Sequence, residues 1–190
     1  MNVIDIINEI NLTYPDIDKN TKATSQLIKD SEWYVNKPLP ESYKKFVKYF
    51  SNGIFLFEVE PILGVGRDLK GLPCGMIVPS GVLVQKDNSC FIAPENRYVD
   101  RAKLIAFTAG SALDLSLDHW VFIADDSPEN NEYKIGYVTQ NTGNIALVLN
   151  SFEEWLNIFW QYNKDEDTQV SVFHSLYKTF DERDIILSSV

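Results

Sequence analysis

Leu39-Pro40-Glu41-Ser42-Tyr43-Lys44-Lys45-Phe46-Val47-Lys48-Tyr49-Phe50-Ser51-Asn52-Gly53 is the stretch on which the fold turns. Pro40 suits the first helical position, where its missing N–H would have had no partner, and Glu41 puts negative charge where the helix dipole favours it. Tyr43, Phe46, Val47 and Phe50 recur at spacings of three, four and seven, which gathers them on one apolar face; Lys44, Lys45 and Lys48 take the other. Asn52-Gly53 supplies the left-handed residue that ends a helix, and an extended run, Ile54-Phe55-Leu56-Phe57-Glu58-Val59, follows.

Outward from this element, the N-terminal side is helical. Val3, Ile6, Ile7 and Ile10 form one stripe that must end before Pro15, because a residue preceding proline avoids the helical region. Ala23, Leu27 and Ile28 predict a second helix reaching Trp33-Tyr34, broken by Val35-Asn36-Lys37-Pro38. On the C-terminal side, short apolar runs between turn residues predict strands at 54–59, 76–79, 82–85, 104–107, 120–124, 133–139 and 145–149. Gln140-Asn141-Thr142-Gly143-Asn144 carries the residues of a hairpin loop, so the last two strands should be antiparallel neighbours. The glycine-rich stretch from Gly64 to Gly75 reads as an irregular loop.

Ser151-Phe152-Glu153-Glu154 is a capping box, in which Ser151 caps the Glu154 N–H and the Glu154 side chain reaches back. Phe152, Trp155, Leu156 and Phe159 then share a face, and burying each is worth about 1.5–3 kcal/mol before entropy. After the polar break Lys164-Asp165-Glu166-Asp167, the residues Val170, Phe173, Leu176, Tyr177 and Phe180 form a last amphipathic stripe. Helices, then strands, then helices give an α+β fold: a single antiparallel-rich sheet of about six strands, with N-terminal and C-terminal helices packed on it. Residues 1–163 are expected to form the domain and 164–190 a helical extension docked on it. No convincing helix stands between the strands, as a doubly wound fold would require.

The formal net charge of −10 and pI near 4.6 argue against a nucleic-acid or anionic-membrane binder and favour a basic partner. Two cysteines, Cys74 and Cys90, are too few for a secreted disulfide framework and fit a reducing cytoplasm. No apolar run approaches the roughly 20 residues of a membrane span. Gly64-Val65-Gly66-Arg67-Asp68-Leu69 begins like a dinucleotide fingerprint but has Leu69 at the third glycine position. His119 and His174 lack a carboxylate or cysteine at metal-ligand spacing and read as structural histidines, and the two thiols read as packing. No cofactor, no metal and no catalytic residue is expected. One stretch stands out by charge: Asp114, Asp118, Asp125, Asp126, Glu129 and Glu132 lie within residues 113–133 without a lysine or arginine among them. They form either a face that meets a basic protein or a polar rim that keeps the domain soluble.

Leu39-Pro40-Glu41-Ser42-Tyr43 with Phe46 and Asn52-Gly53 resembles the proline-led helix and asparagine-glycine turn of the SUKH superfamily. Ser151-Phe152-Glu153-Glu154-Trp155-Leu156 resembles the helix that closes that domain. Ile54 departs from the second glycine of many relatives, and the helix after Asn163 is an addition. The resemblance implies a non-enzymatic, cytoplasmic binding protein, either an immunity protein against a cognate toxin such as a basic nuclease domain, or a regulator of the Smi/Knr type. A monomer is the favoured state, and exposed aromatics would anchor the partner. An enzyme built from scattered residues such as Asp125, Asp126, His119 and Cys90 is the remaining alternative.

Overall fold

The computed structural model describes residues 1–67, 72, 74–110, 117–125, 131–165, 169–177, 180–188 and 190. Three helices lead: α1 (Val3–Thr13), α2 (Ser25–Val35) and α3 (Glu41–Tyr49). A two-stranded hairpin follows, β1 (Ile54–Leu56) against β2 (Glu60–Ile62). Next come β3 (Val78–Pro79), β4 (Ser89–Ile92), β5 (Arg97–Asp100), β6 (Leu104–Ala106), β7 (His119–Ile123), β8 (Ile135–Val138) and β9 (Ile145–Leu149). The chain closes with α4 (Phe152–Asn163), α5 (Val172–Leu176) and α6 (Phe180–Ser188). Strands β3 to β9 form one seven-stranded sheet in the order β3-β6-β7-β8-β9-β4-β5, antiparallel except for the single β4–β9 pairing at Ile92 and Ile145.

The α+β architecture is the expected one, with differences of detail that have local causes. The expected strand at 54–59 stops at Leu56, because Phe57 and Glu58 both take positive φ (52° and 60°) and turn the chain back into β2. The Val59 N–H closes that turn on the Leu56 carbonyl at 3.1 Å. The expected strand at 82–85 is absent: Ser80–Val82 is a 3-10 turn whose last residue points outward. In its place β4 and β5 pair as a hairpin, with Cys90 opposite Val99 and Phe91 opposite Tyr98. Neither strand carries a long apolar run, since only Cys90, Ile92 and Val99 face the core. The tail is two helices and not one, because Tyr177 leaves the helical region while its N–H still bonds the Phe173 carbonyl at 3.1 Å.

The core gathers where α3 and α4 meet the sheet. Phe152 stands edge-on to Tyr43 (5.3 Å between ring centroids) and to Phe46 (5.5 Å), and stacks on Trp155 (5.7 Å). Phe107 and Phe122 stack at 4.5 Å beneath them. Offset and edge-on rings of this kind contribute about 0.5–1.5 kcal/mol per pair beyond burial. The Tyr43 hydroxyl, fully buried, donates to the Leu63 carbonyl at 2.6 Å. Polar contacts at its first residue and in its middle hold helix α1 to α4: the Val3 N–H donates to Glu153 (3.0 Å) and the Trp160 indole N–H to Glu9 (2.6 Å).

Asn52-Gly53 does not end α3, which stops three residues earlier at Tyr49. It is a latch. The Asn52 side chain pairs with both backbone groups of Val65, accepting at 2.7 Å and donating at 2.9 Å. Gly53, at φ 79°, lies so close to Gly64 that a Cβ there would stand 3.2 Å from the Gly64 nitrogen. The Ser31 hydroxyl meanwhile accepts from the Gly66 N–H at 2.9 Å. Gly64-Val65-Gly66 is therefore buried and fastened to α2 and to the α3–β1 turn, with all three N–H groups bonded inside the protein rather than offered to a phosphate; Asp68 and Leu69 of the fingerprint lie outside the described residues.

Candidate functional site

Of the six acidic residues in the 113–133 run, Asp114, Asp126 and Glu129 lie outside the described residues. The other three are divided between the two ends of β7, a strand about 17 Å long. Asp118 precedes it, accepting from the Gln140 N–H at 2.6 Å and the Tyr137 hydroxyl at 3.1 Å. Asp125 follows it and forms an ion pair with Arg97 of β5. Arg97 also bonds Glu95 at 2.6 Å, and Lys134 reaches the other Glu95 oxygen at 2.6 Å. Burial works to raise the Glu95 carboxyl, but the hydrogen bonds from Lys134 and Arg97 outweigh it and hold the carboxyl below its usual range. Asp125 thus sits beside an edge strand, where the next residue along, Tyr98, is 70% exposed and packs against Phe91 (5.1 Å).

Glu132 acts locally on α3. Pro40 stands at the N-cap and makes no side-chain cap bond, so the first N–H groups of the helix need an acceptor from elsewhere. Glu132 provides it, accepting from the Ser42 N–H at 2.7 Å and the Ser42 hydroxyl at 2.6 Å. The preceding carbonyl, of Asn131, accepts from the Glu41 N–H at 2.9 Å. Burial raises the Glu132 carboxyl, and the two bonds from Ser42 work against that shift. Glu132→Ala should lower stability by about 0.5–2 kcal/mol, as loss of an N-cap does. Urea denaturation checks this, and an unchanged midpoint would show that the helix needs no such partner.

The groups with reactive chemistry are enclosed. The Ser80 hydroxyl lies 2.9 Å from His119 Nε2, while His119 Nδ1 lies 2.7 Å from the Leu117 carbonyl. A carbonyl only accepts, so Nδ1 carries the proton and Ser80 donates to Nε2. This is the bonding of an activated serine, but Ser80 and His119 are 0% and 1% exposed. Burial pushes the His119 pKa down to about 4, so the ring is neutral at physiological pH. Cys90 is buried with Sγ 3.4 Å from the Gly143 carbonyl, and burial pushes the Cys74 thiol up to about 11. Asp125, His119 and Cys90 each bond to different groups, and Asp126 lies outside the described residues. Among the described residues no three histidine, cysteine, aspartate or glutamate side chains cluster as a metal site, and no helix is long and apolar enough to cross a membrane.

A second surface escaped the sequence reading. Helix α2 buries Ile28, Ser31 and Val35, which turns Trp33 outward at 84% exposure. At 100° per residue Trp33 stands roughly 140–160° from Ile28, Ser31 and Val35, so its outward aim follows once the polar Ser31 is placed in the buried stripe. On one flank of Trp33, past Lys29 four residues before it on the same helix, a groove of about 280 Å³ runs between α2 and α3; Lys29 lines it and Trp33 does not. On the other a hollow of about 440 Å³ is shared by Asp30, Tyr34, Arg67 and Met76, with Arg67 bonded to Asp30 at 2.6 and 3.1 Å.

Helices leading into a curled, mostly antiparallel sheet, entered through a proline-led helix and closed by a serine-capped one, define the SUKH class of α+β proteins. The family model for SMI1 / KNR4 (SUKH-1) matches residues 22–158, and the chain belongs to this family. The match runs from just before α2 into α4 and leaves α1 and the tail outside it. No curated protein and no solved structure matches the chain.

Proposed function

We propose that this chain is an immunity-type member of its family, a cofactor-free, cytoplasmic binding protein that neutralises a cognate toxin by occupying it. Membership of the SMI1 / KNR4 family carries this reading. The enclosure of Ser80, His119 and Cys90 supports it, because no substrate reaches them in this arrangement. The toxin surface that suits the chain is basic, as a nuclease domain presents, since a net charge of −10 steers such a partner and repels nucleic acid. The acidic run from Asp114 to Glu132 guides the encounter, and Tyr98, beside the Asp125–Arg97 pair, is the aromatic anchor.

Asp118, Asp125 and Glu132 already serve as partners inside the molecule, so the test reverses the other three charges. Asp114→Lys, Asp126→Lys and Glu129→Lys together should slow association with the toxin encoded beside this gene by roughly tenfold at low salt, and should flatten its salt dependence. Tyr98→Ala should act on dissociation instead. An unchanged association rate and salt slope would remove the acidic run from the interface, and failure to co-purify with the neighbouring product would remove the immunity reading. The regulator reading keeps one specific support, the Smi1/Knr4 type of the matched family, and an isolated housekeeping gene context would favour it.

A further inference from the structure

The groove between α2 and α3 has the opposite electrical character to the rest of the chain. Its walls carry Lys29, Lys44, Lys45 and Lys48 against Glu32 and Glu41. Both carboxylates lie next to the same lysine, Lys44, at 3.7 Å from Glu32 and 3.1 Å from Glu41. Lys29, Lys45 and Lys48 have no carboxylate within ion-pair distance among the described residues. All three are exposed, and Tyr49 closes the groove at 49% exposure.

The platform under these lysines is built to stay in place. Thr24 caps α2 by accepting from the Leu27 N–H, and Asn36, left-handed at φ 52°, ends it. Ala23, just before that cap, is tied to α3 by its N–H bond to the Val47 carbonyl at 2.9 Å. Trp33 therefore projects from a held helix, where an indole surface meets a partner with little ordering cost. Tryptophan and tyrosine at such positions are the residue types that dominate binding energy at protein interfaces.

We propose that the α2–α3 face is a docking surface for an acidic segment of a partner protein, whose carboxylates seat along Lys29, Lys45 and Lys48 and whose apolar residue covers Trp33. Charge complementarity selects this occupant: a basic surface, the kind proposed for the toxin, would be repelled here. A duplex nucleic acid suits the groove less well, because it brings one charge per roughly 1.7 Å towards a protein of net charge −10. A short acidic segment brings only the few charges that the lysines answer.

The molecule contains its own reporter. Trp120, Trp155 and Trp160 are buried, so collisional quenching by acrylamide acts chiefly on Trp33. Titration of the full chain with a short synthetic peptide, glutamates flanking a central leucine-phenylalanine pair, should shift tryptophan emission to the blue and protect it from acrylamide. The affinity should fall several-fold as salt rises to physiological strength. Lys29→Glu, Lys45→Glu and Lys48→Glu together should weaken the peptide by about tenfold or more while leaving the circular dichroism spectrum unchanged. Trp33→Ala should abolish the spectral change and weaken binding in calorimetry. Retention of peptide binding when Asp114, Asp126 and Glu129 are reversed would show that this face acts apart from the toxin-facing run. The proposal falls if the peptide leaves emission and quenching unchanged at low salt, or if the lysine reversal binds as the parent does. It falls equally if a single-stranded oligonucleotide binds this face more tightly than the peptide, or if protection appears on concentrating the protein alone, which would mark the face as self-association.

Discussion

Phe152→Ala should destabilise the protein by about 3–5 kcal/mol, the range for removing a large aromatic from a core that cannot close over the cavity. Phe152 is 0% exposed and touches rings from α3, from the residue just after β6 and from its own helix: Tyr43, Phe46, Phe107 and Trp155 all lie within 6 Å, centroid to centroid. Whole-domain stabilities are typically about 5–15 kcal/mol, so one truncation would remove a large part of the total. Urea denaturation measures the loss directly. A cost below about 1 kcal/mol would show that the site collapses freely and that these rings are not the joint between the two motif helices. Phe46→Leu and Phe152→Leu provide a finer reading, because their 5.5 Å edge-on pairing should appear as a coupling of about 0.5–1.5 kcal/mol in a double-mutant cycle.

Glu60→Gln should stabilise the protein above neutral pH, against the usual expectation for losing a carboxylate. Glu60 lies in β2, is 4% exposed, and accepts from the Val172 N–H at the start of α5 at 2.6 Å. Burial pushes its pKa up to about 8, and the Val172 bond offsets only part of that shift. An unfolded glutamate titrates at about 4.3, so between these values the native state holds a proton that the unfolded state has released. Stability from this group is complete below about pH 4.3 and is lost as pH rises through about 8, at about 1.4 kcal/mol per unit. His119 has the opposite sign: its pKa is depressed to about 4 from an unfolded value of about 6.5, so its contribution is complete above about 6.5 and lost towards acid. The two slopes oppose each other at mildly acidic pH. Between about 6.5 and 8 Glu60 acts without His119, and about 2 kcal/mol should disappear over that interval. Gln can still accept from Val172 without the proton, so E60Q should flatten this limb in denaturation measured from pH 6 to 8.5. A parallel decline in parent and variant would assign the pH dependence to other groups.

The same carboxylate joins the β1–β2 hairpin to the tail. Val170 is bracketed by the Asn163 side chain, which accepts its N–H at 2.6 Å and donates to its carbonyl at 3.0 Å. Phe173 stacks on Tyr137 of β8 at 4.4 Å. Titration of Glu60 therefore acts on the contact that seats α5, beyond the family-matched region.

Much of the fold was legible because its decisive signals are local. Ser151 caps the Glu154 N–H at 3.1 Å as the capping box requires, although Glu154 reaches back to Asn150 (2.6 Å) and not to Ser151. The β8–β9 hairpin followed from its loop residues. The four-residue strands β4 and β5 were missed because burial on one face needs only one or two apolar residues each, and 82–85 was misread because an apolar triplet occurs equally well in a turn. The acidic run was legible as composition alone. Nothing in the order of residues says that Glu132 would cap a helix 90 positions earlier, or that Asp125 would meet Arg97.

By itself the sequence determined where helices begin, which faces they bury and that the chain is α+β, since caps, turns and apolar periodicity act between residues a few positions apart. Tertiary structure decided which charges are consumed internally, which aromatic is left outside, and that a lysine groove opens between two helices of an acidic protein. Those outcomes depend on which groups arrive from distant parts of the chain, as Glu132 does at Ser42 and Glu60 at Val172, and no local pattern encodes such a meeting.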